Sequence, residues 1–274
     1  MGLTLVIGGT GKTGSRVVER LKAKGVPVRV GSRSAIPSFS WDHEAGWDAC
    51  LKGVKSVYIS YAPDLAIPGA RDAIQGLACR AQDAGVEKLV LLSGRGEVEA
   101  QVCEQIIQQY EMDWTVVRAS WFNQNFSEGA FADMVVSGRL TLPAGLVEEP
   151  FVDVDDIADV AVAALTEPGH SGEIYEVTGP RLMTFADIAA DLSSATGREI
   201  EFVNIPHTVF LDSLKSAGVP KDVRWLLDYL FSTVLDGRNA MTCDGVERAL
   251  GRKPKDFADY AREVAASGLW RAAG

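Results

Sequence analysis

Five short runs of the chain are apolar at nearly every position: LTLVI (residues 3–7), VPVRV (26–30), VKSVYIS (54–60), EKLVLLS (87–93) and WTVVRAS (114–120). A strand with one wet face alternates apolar and polar residues, so runs without alternation predict strands covered on both faces, as in a parallel sheet. Stretches of helical periodicity at 13–23, 68–84 and 97–110 lie between them, at the spacing of βα units. The expectation is an α/β protein built on a doubly wound parallel sheet of the Rossmann kind. The crossover between Val30 and Val54 is irregular, and SFSW (38–41) reads as a brief strand followed by a brief helix over 43–51. Counting SFSW as the third strand makes the last three runs the fourth, fifth and sixth.

Beyond Ser120 the pattern changes. A helix is expected near 125–137, then the turn-rich GRLTLPAGLVEEP, then a helix opened by Asp153, Asp155 and Asp156, where acids favour an N-terminus. EIYEVT (173–178) reads as a further strand. Thr184 reads as the cap of the next helix, with Asp187 three residues on and Gly197 as its stop. From Pro206 onward the pattern is helical. The predicted organisation is a large domain over 1–178, with 139–150 contributing to a second lobe, and a smaller, mostly helical lobe over 179–274.

The 274 residues are 47% hydrophobic and 23% charged, the range of ordinary globular chains. A net charge of −10 argues against nucleic acid and anionic membrane surfaces, whose capture depends on clustered Lys and Arg. Cys50, Cys79, Cys103 and Cys243 are scattered, with no C-x-x-C pair and no neighbouring His, against a zinc site or a disulfide framework. His43, His170 and His207 show no ligand spacing, so no metal is expected. No apolar run approaches the ~18 residues of a spanning helix, and the first strand leaves no room for a leader. The expected location is the cytoplasm.

GGTGKTG (8–14) follows the first strand directly. A triphosphate loop ending in Gly11-Lys12-Thr13 would need glycine at position 6, which is Val6. The same letters satisfy G-x-G-x-x-G as Gly9, Gly11 and Gly14, and G-x-x-G-x-x-G as Gly8, Gly11 and Gly14, which selects a dinucleotide. Such glycines let the chain turn sharply, admit a pyrophosphate to the main chain and let the helix close on the sheet. That helix then points its N–H groups and dipole at the phosphates, with Thr10, Lys12 and Thr13 beside them. An NAD site wants an acid near the end of the second strand, yet no acid occurs between Glu19 and Asp42. The strand runs into GSRS instead. Arg33 and Ser32 are therefore expected to hold a 2′-phosphate, making the cofactor NADP(H). None of the six tyrosines has Lys four residues later, so the Tyr-x-x-x-Lys proton relay of ordinary short-chain dehydrogenases is absent.

GGTGKTG, LLSGRGE (91–97), DWTVVRASWFNQNFSE (113–128), PFVDVDDIADVA (150–161) and LDGRNA (235–240) together resemble the NmrA-like atypical short-chain dehydrogenase/reductases. Among these the likeness is greatest to bacterial proteins similar to the ergot-alkaloid iminium reductases. The resemblance spans nearly the whole chain. It implies a Rossmann domain with a small substrate lobe, NADP(H) as ligand, and either reduction of a small molecule, as in secondary metabolism, or cofactor sensing through a protein partner. By position it assigns Tyr61, Ala62 and Pro63, after the fourth strand, to the cofactor. Asp42 is either an acceptor for the adenine amino group or a helix cap. Ser93, at the end of the fifth strand, is either a residue facing the nicotinamide or a cap. Arg95 is either a substrate clamp or a partner of Glu97 or Glu99. Trp121, Phe122, Asn125 and Phe126 are expected to meet substrate. A proton, where needed, comes from water, Ser93 or Glu104. A small-molecule substrate is expected, a homodimer is left open, and a protein partner belongs only to the sensing alternative.

Overall fold

The computed structural model describes residues 2–129 and 131–271. Its contacts divide the chain into two units, each assembled from separate stretches: residues 2–119, 154–177 and 244–252 form the first, and 120–153, 178–243 and 253–271 the second. Residues 120–153 cluster with the second unit, a longer stretch than the 139–150 that the sequence reading lends to the second lobe.

The first unit carries a six-stranded sheet. Its elements in chain order are β1 (Leu3–Ile7), α1 (Lys12–Ala23), β2 (Val28–Gly31), α2 (Trp47–Leu51), β3 (Val54–Ile59), α3 (Ala70–Asp83), β4 (Lys88–Gly94), α4 (Val98–Ile107) and β5 (Asp113–Ala119). After a stretch in the second unit that holds α5 (Ala132–Ser137) and β6 (Arg139–Leu142), the first unit resumes with α6 (Val154–Thr166) and β7 (Glu173–Val177). The order is β2-β1-β3-β4-β5-β7, every pairing parallel. From β1 the chain winds first toward β2 and then toward β3, so the topological switch falls between β1 and β3, where a doubly wound sheet binds its ligand.

The run rule explains the sheet: Leu5, Val6, Ile7, Val57, Tyr58, Ile59, Leu89, Val90 and Leu91 are all fully buried. On α1, Val17, Val18 and Leu21 are buried at helical spacing while the opposite face carries charge. Arg20 on that face donates to Asp155 at 2.8 Å and Asp159 at 2.6 Å of α6. Arg252 follows α10 (Gly245–Leu250) and holds Asp156 and Asp159 of α6, each at 2.5 Å. The acids at the start of α6 thus anchor three helices.

SFSW does not form a strand; it makes one isolated bridge, Ser40 to His43. Its aromatics fold inward instead. Phe39 stacks on the fully buried Trp47 (centroids 5.6 Å apart), and the Trp47 indole N–H donates to the Ser40 carbonyl at 2.8 Å. The runs expected as fourth, fifth and sixth strands are consequently β3, β4 and β5.

The second unit pairs β6 in parallel with β8 (Glu201–Asn204). Around this pair lie α7 (Phe185–Thr196), α8 (His207–Ser216), α9 (Lys221–Tyr229) and α11 (Phe257–Ser267). The helix expected over 125–137 is two pieces, a 3₁₀ turn at Asn123–Phe126 and the short α5. The start of α7 is as read. Thr184 accepts from the Asp187 N–H at 3.1 Å, the Asp187 carboxylate accepts from the Thr184 N–H at 2.8 Å, and Gly197 closes the helix at φ +69°. Thr184→Ala is expected to cost about 1 kcal/mol, measured by urea unfolding. An unchanged midpoint would show the box to be redundant. Among the described residues no helix is long and apolar enough to cross a membrane, and no group of three His, Cys, Asp or Glu is placed to hold a metal ion.

Candidate functional site

The glycine turn stands at the switch point. Gly8 sits at φ +72°, a conformation L side chains rarely adopt, and a Cβ there would lie 3.1 Å from Ser60 at the end of β3. The Gly11 N–H closes the turn on the Gly8 carbonyl at 2.8 Å, and the Gly8 N–H ties it to the Gly31 carbonyl of β2 at 3.0 Å. A Cβ on Gly14 would stand 2.7 Å from the Gly8 carbonyl carbon and nearer still to its oxygen. The third glycine is therefore what lets α1 start against the turn. Gly11 caps α1 without any side chain, no acid occupies the first helical turn, and among the described residues no backbone carbonyl accepts from the Thr13 and Gly14 N–H groups. This leaves a side-chain-free cradle with a positive helix end, which fits a pyrophosphate. Thr10 is exposed at the turn, Lys12 opens the helix, and Thr13 is buried beneath it.

At the carboxyl end of β2, Ser32 and Ser34 share a 3.3 Å hydroxyl contact, and the loop is folded by its backbone, the Phe39 N–H donating to the Ser32 carbonyl at 2.9 Å. The Arg33 side chain is exposed and engages no acid among the described residues. Asp42 is also exposed, and the following 3₁₀ turn, Glu44–Gly46, has His43 rather than Asp42 at its N-cap position. Tyr61 packs on Trp41 with ring centroids 4.6 Å apart, and its hydroxyl pKa is raised by burial and by the facing Asp42 carboxylate. Ala62 and Pro63 are exposed beside it. Glycine turn, Ser32, Arg33, Asp42, Tyr61, Ala62 and Pro63 thus lie along the carboxyl ends of adjacent strands.

Further along the same edge is a buried ionic chain. The Ser93 hydroxyl, 4% exposed, donates to Glu104 Oε1 at 2.6 Å. Arg118 grips both oxygens of Glu104, with Nε at 2.9 Å from Oε1 and Nη2 on Oε2, and extends Nη1 to Glu176 at 2.8 Å. The Arg95 Nε donates to the other Glu176 oxygen at 3.0 Å. Hydrogen bonding to Glu104, opposed by burial, leaves the Arg118 pKa raised. A carboxylate so clamped is an acceptor, so Glu104 is suited to orienting Ser93 rather than to releasing a proton. The helix-cap alternative for Ser93 is not what its hydroxyl does. Arg95 is held by Glu176, a partner that sequence reading missed along with Arg118. Arg118 interrupts the apolar stretch of its strand run WTVVRAS, the signal that could have revealed it.

The four aromatic and amide candidates lie in the second unit. Phe126 is fully buried among Phe131, Phe151, Phe185 and Phe257, and its carbonyl accepts from the Trp270 indole at 2.8 Å. It is a core ring, so the expected substrate contact at Phe126 is corrected to packing. Trp121 is half-buried against Phe231, centroids 5.2 Å apart, while Phe122 is fixed by a bridge to Val152 and Asn125 is half-buried in the 3₁₀ turn. Also in this unit, Trp225 and Tyr229 stack in parallel at 5.6 Å, with Trp225 42% exposed.

Known proteins resemble the chain over its whole length. An NAD(P)H azoreductase of Xenophilus azovorans is 30% identical over 289 residues, covering 97% of this chain and 99% of its own. An agroclavine dehydrogenase of Claviceps fusiformis is 30% identical, covering 93% and 95%. The fold matches that of an NADPH-dependent quinone oxidoreductase of Escherichia coli, solved with NADPH, with a TM-score of 0.80 at 20% identity over 96% and 99% of the two chains. Residues 78–261, more than half of the sequence, match the model of the NmrA-like family, and the chain belongs to that family.

Proposed function

We propose that this chain is an NADPH-dependent reductase that passes hydride to a small, electron-poor cyclic or conjugated acceptor, an iminium ion, a quinone or a ketone, without a Tyr-Lys relay. The observation that carries this is the pairing of a side-chain-free glycine cradle with Arg33 at the end of β2. The relatives named for azo, quinone and clavine chemistry support it. Gly8, Gly11, Gly14 and the start of α1 hold the pyrophosphate, with Thr10, Lys12 and Thr13 beside it, while Arg33 and Ser32 hold the 2′-phosphate. Asp42, Tyr61, Ala62 and Pro63 line the rest of the cofactor. The bound NADPH supplies the hydride. Ser93, oriented by Glu104, stands at the end of β4 as a residue for the nicotinamide end, and Arg95 braces that edge through Glu176, while Trp121, Phe122 and Asn125 are the residues of the second unit assigned to the substrate.

A conjugated cation takes hydride without a protonated phenol, which accounts for the missing relay. The test is NADPH oxidation, followed at its absorbance band, across a panel of iminium ions, quinones and ketones, run beside a pull-down. Turnover of one class supports the reductase. Binding without turnover, together with a captured partner, would replace it with a redox sensor. Charge-assisted contacts contribute about 1.5–3 kcal/mol, so Arg33→Asp is expected to raise the Kd for NADPH at least about tenfold while leaving that for NADH nearly unchanged, by fluorescence titration. Equal effects on both coenzymes would remove Arg33 from the site.

A further inference from the structure

With Glu104 clamped as a carboxylate, a second acidic feature on the same sheet edge becomes informative. Asp64 follows Pro63 in the loop after β3, and Glu97 closes the loop after the neighbouring β4. Glu97 is 6% exposed, its Oε2 is buried with no hydrogen-bond partner, and its side chain does not cap α4. Gly94 makes the room for it, since a Cβ at Gly94 would overlap the Glu97 carboxyl group. The Asp64 carboxyl group, whose Oδ1 accepts from the Ala66 N–H at 2.8 Å, lies close enough to that of Glu97 for each to act on the other. Two carboxylates cannot face each other at such range without one retaining a proton. The backbone bond at Asp64 favours the anion there, which places the proton on Glu97.

We propose that the Glu97–Asp64 pair is a proton donor of this reductase, serving acceptors whose heteroatom becomes basic once hydride has arrived. The proposal rests on the reductase reading. In the step, hydride with its electron pair bonds to the acceptor carbon and the π pair of C=O or C=N moves onto oxygen or nitrogen. That atom takes the proton from Glu97, which is left as a carboxylate and recovers a proton from water by way of Asp64. An iminium ion permanently alkylated on nitrogen becomes a neutral amine on taking hydride and draws on no donor. The charged groups that act most on Glu97 are Asp64 from the β3 loop, and Glu99 and Glu104 of α4. With burial as the largest cause, they hold its pKa well above the ordinary range. That of Asp64 is raised chiefly by burial.

The test compares wild type with Glu97→Gln on a quinone and on an N-alkylated iminium ion, with NADPH titrated by fluorescence. The ratio of quinone to iminium turnover is expected to fall by about 100-fold in the variant, in line with the contribution of a positioned general acid. The wild-type quinone rate should fall as pH rises through the raised carboxyl pKa, and the variant should lose that limb. Infrared difference spectra of the protein alone should show a protonated-carboxyl band at neutral pH that Glu97→Gln removes. Equal loss on both acceptors, or no such band, overturns the proposal. Turnover of both acceptors by the wild type with an unaltered ratio in the variant sinks the donor alone, whereas a wild type that binds no NADPH sinks the reductase reading and the donor with it.

Discussion

Gly14→Ala is expected to remove NADPH binding almost entirely, with a rise in Kd on the order of 100-fold or more. The added methyl group would stand 2.7 Å from the Gly8 carbonyl carbon and would also press on the Gly9 Cα, 2.9 Å away. Both neighbours are main chain, so no side chain can swing aside. Relief requires α1 to shift off the turn, or Gly8 to leave φ +72°, and either movement opens the cradle. Overpacking of this kind costs typically 1–3 kcal/mol and more against backbone, which converts to the stated loss. Gly11→Ala is the control: its Cβ would meet only the Gly8 oxygen, at 3.3 Å, so a smaller loss is expected. Fluorescence titration with NADPH decides the matter, and parity between the two variants would mean that the packing of α1 does not set the site.

Arg118→Ala is the substitution expected to cost the fold most. Glu104, with a side chain 2% exposed, would lose its bidentate partner, and Glu176 would lose Arg118 while keeping Arg95. Stranding a buried charge costs about 3–5 kcal/mol, which for a chain of this size lowers Tm by roughly 10 °C. Arg118→Met combined with Glu104→Leu should recover much of that loss, because no buried charge then remains opposite the gap. Thermal unfolding followed by circular dichroism reads both. A single variant within ~2 °C of wild type would show that water reaches Glu104 and screens it.

Much of this was legible because the physics is local. Strand runs were placed to within a residue or two, since burial on both faces leaves nothing polar to confuse the boundary. The capping box at Thr184 is written in three residues. SFSW misled because two aromatics in an extended-looking tetrapeptide resemble a strand, whereas Phe39 and Trp41 are spent on the buried Trp47 and on Tyr61. The stretch around Asn125 reads as one helix, yet the structure has a 3₁₀ turn at Asn123–Phe126 and a separate short α5. Phe126 was indistinguishable from its neighbours Trp121 and Phe122 by sequence, because only the assembled second unit decides which ring is swallowed. The ionic chain was missed for a deeper reason: Glu104, Arg118 and Glu176 lie on three elements, and no spacing rule joins them. The meeting of Asp64 with Glu97 likewise depends on two loops being neighbours in the sheet.

The interleaving of the two units has a consequence for how the protein can be made and cut. The chain passes from one unit to the other five times, and the final piece of the first unit is residues 244–252. Gly245 there nests against Glu176, where a Cβ would fall 2.7 Å from the carbonyl carbon, and Arg252 clasps the acids of α6. No truncation can therefore liberate an intact coenzyme-binding half. On the ribosome, that half stays unfinished until residues 244–252 have been synthesised, so its maturation waits for the second unit's stretches 120–153 and 178–243 to be made first.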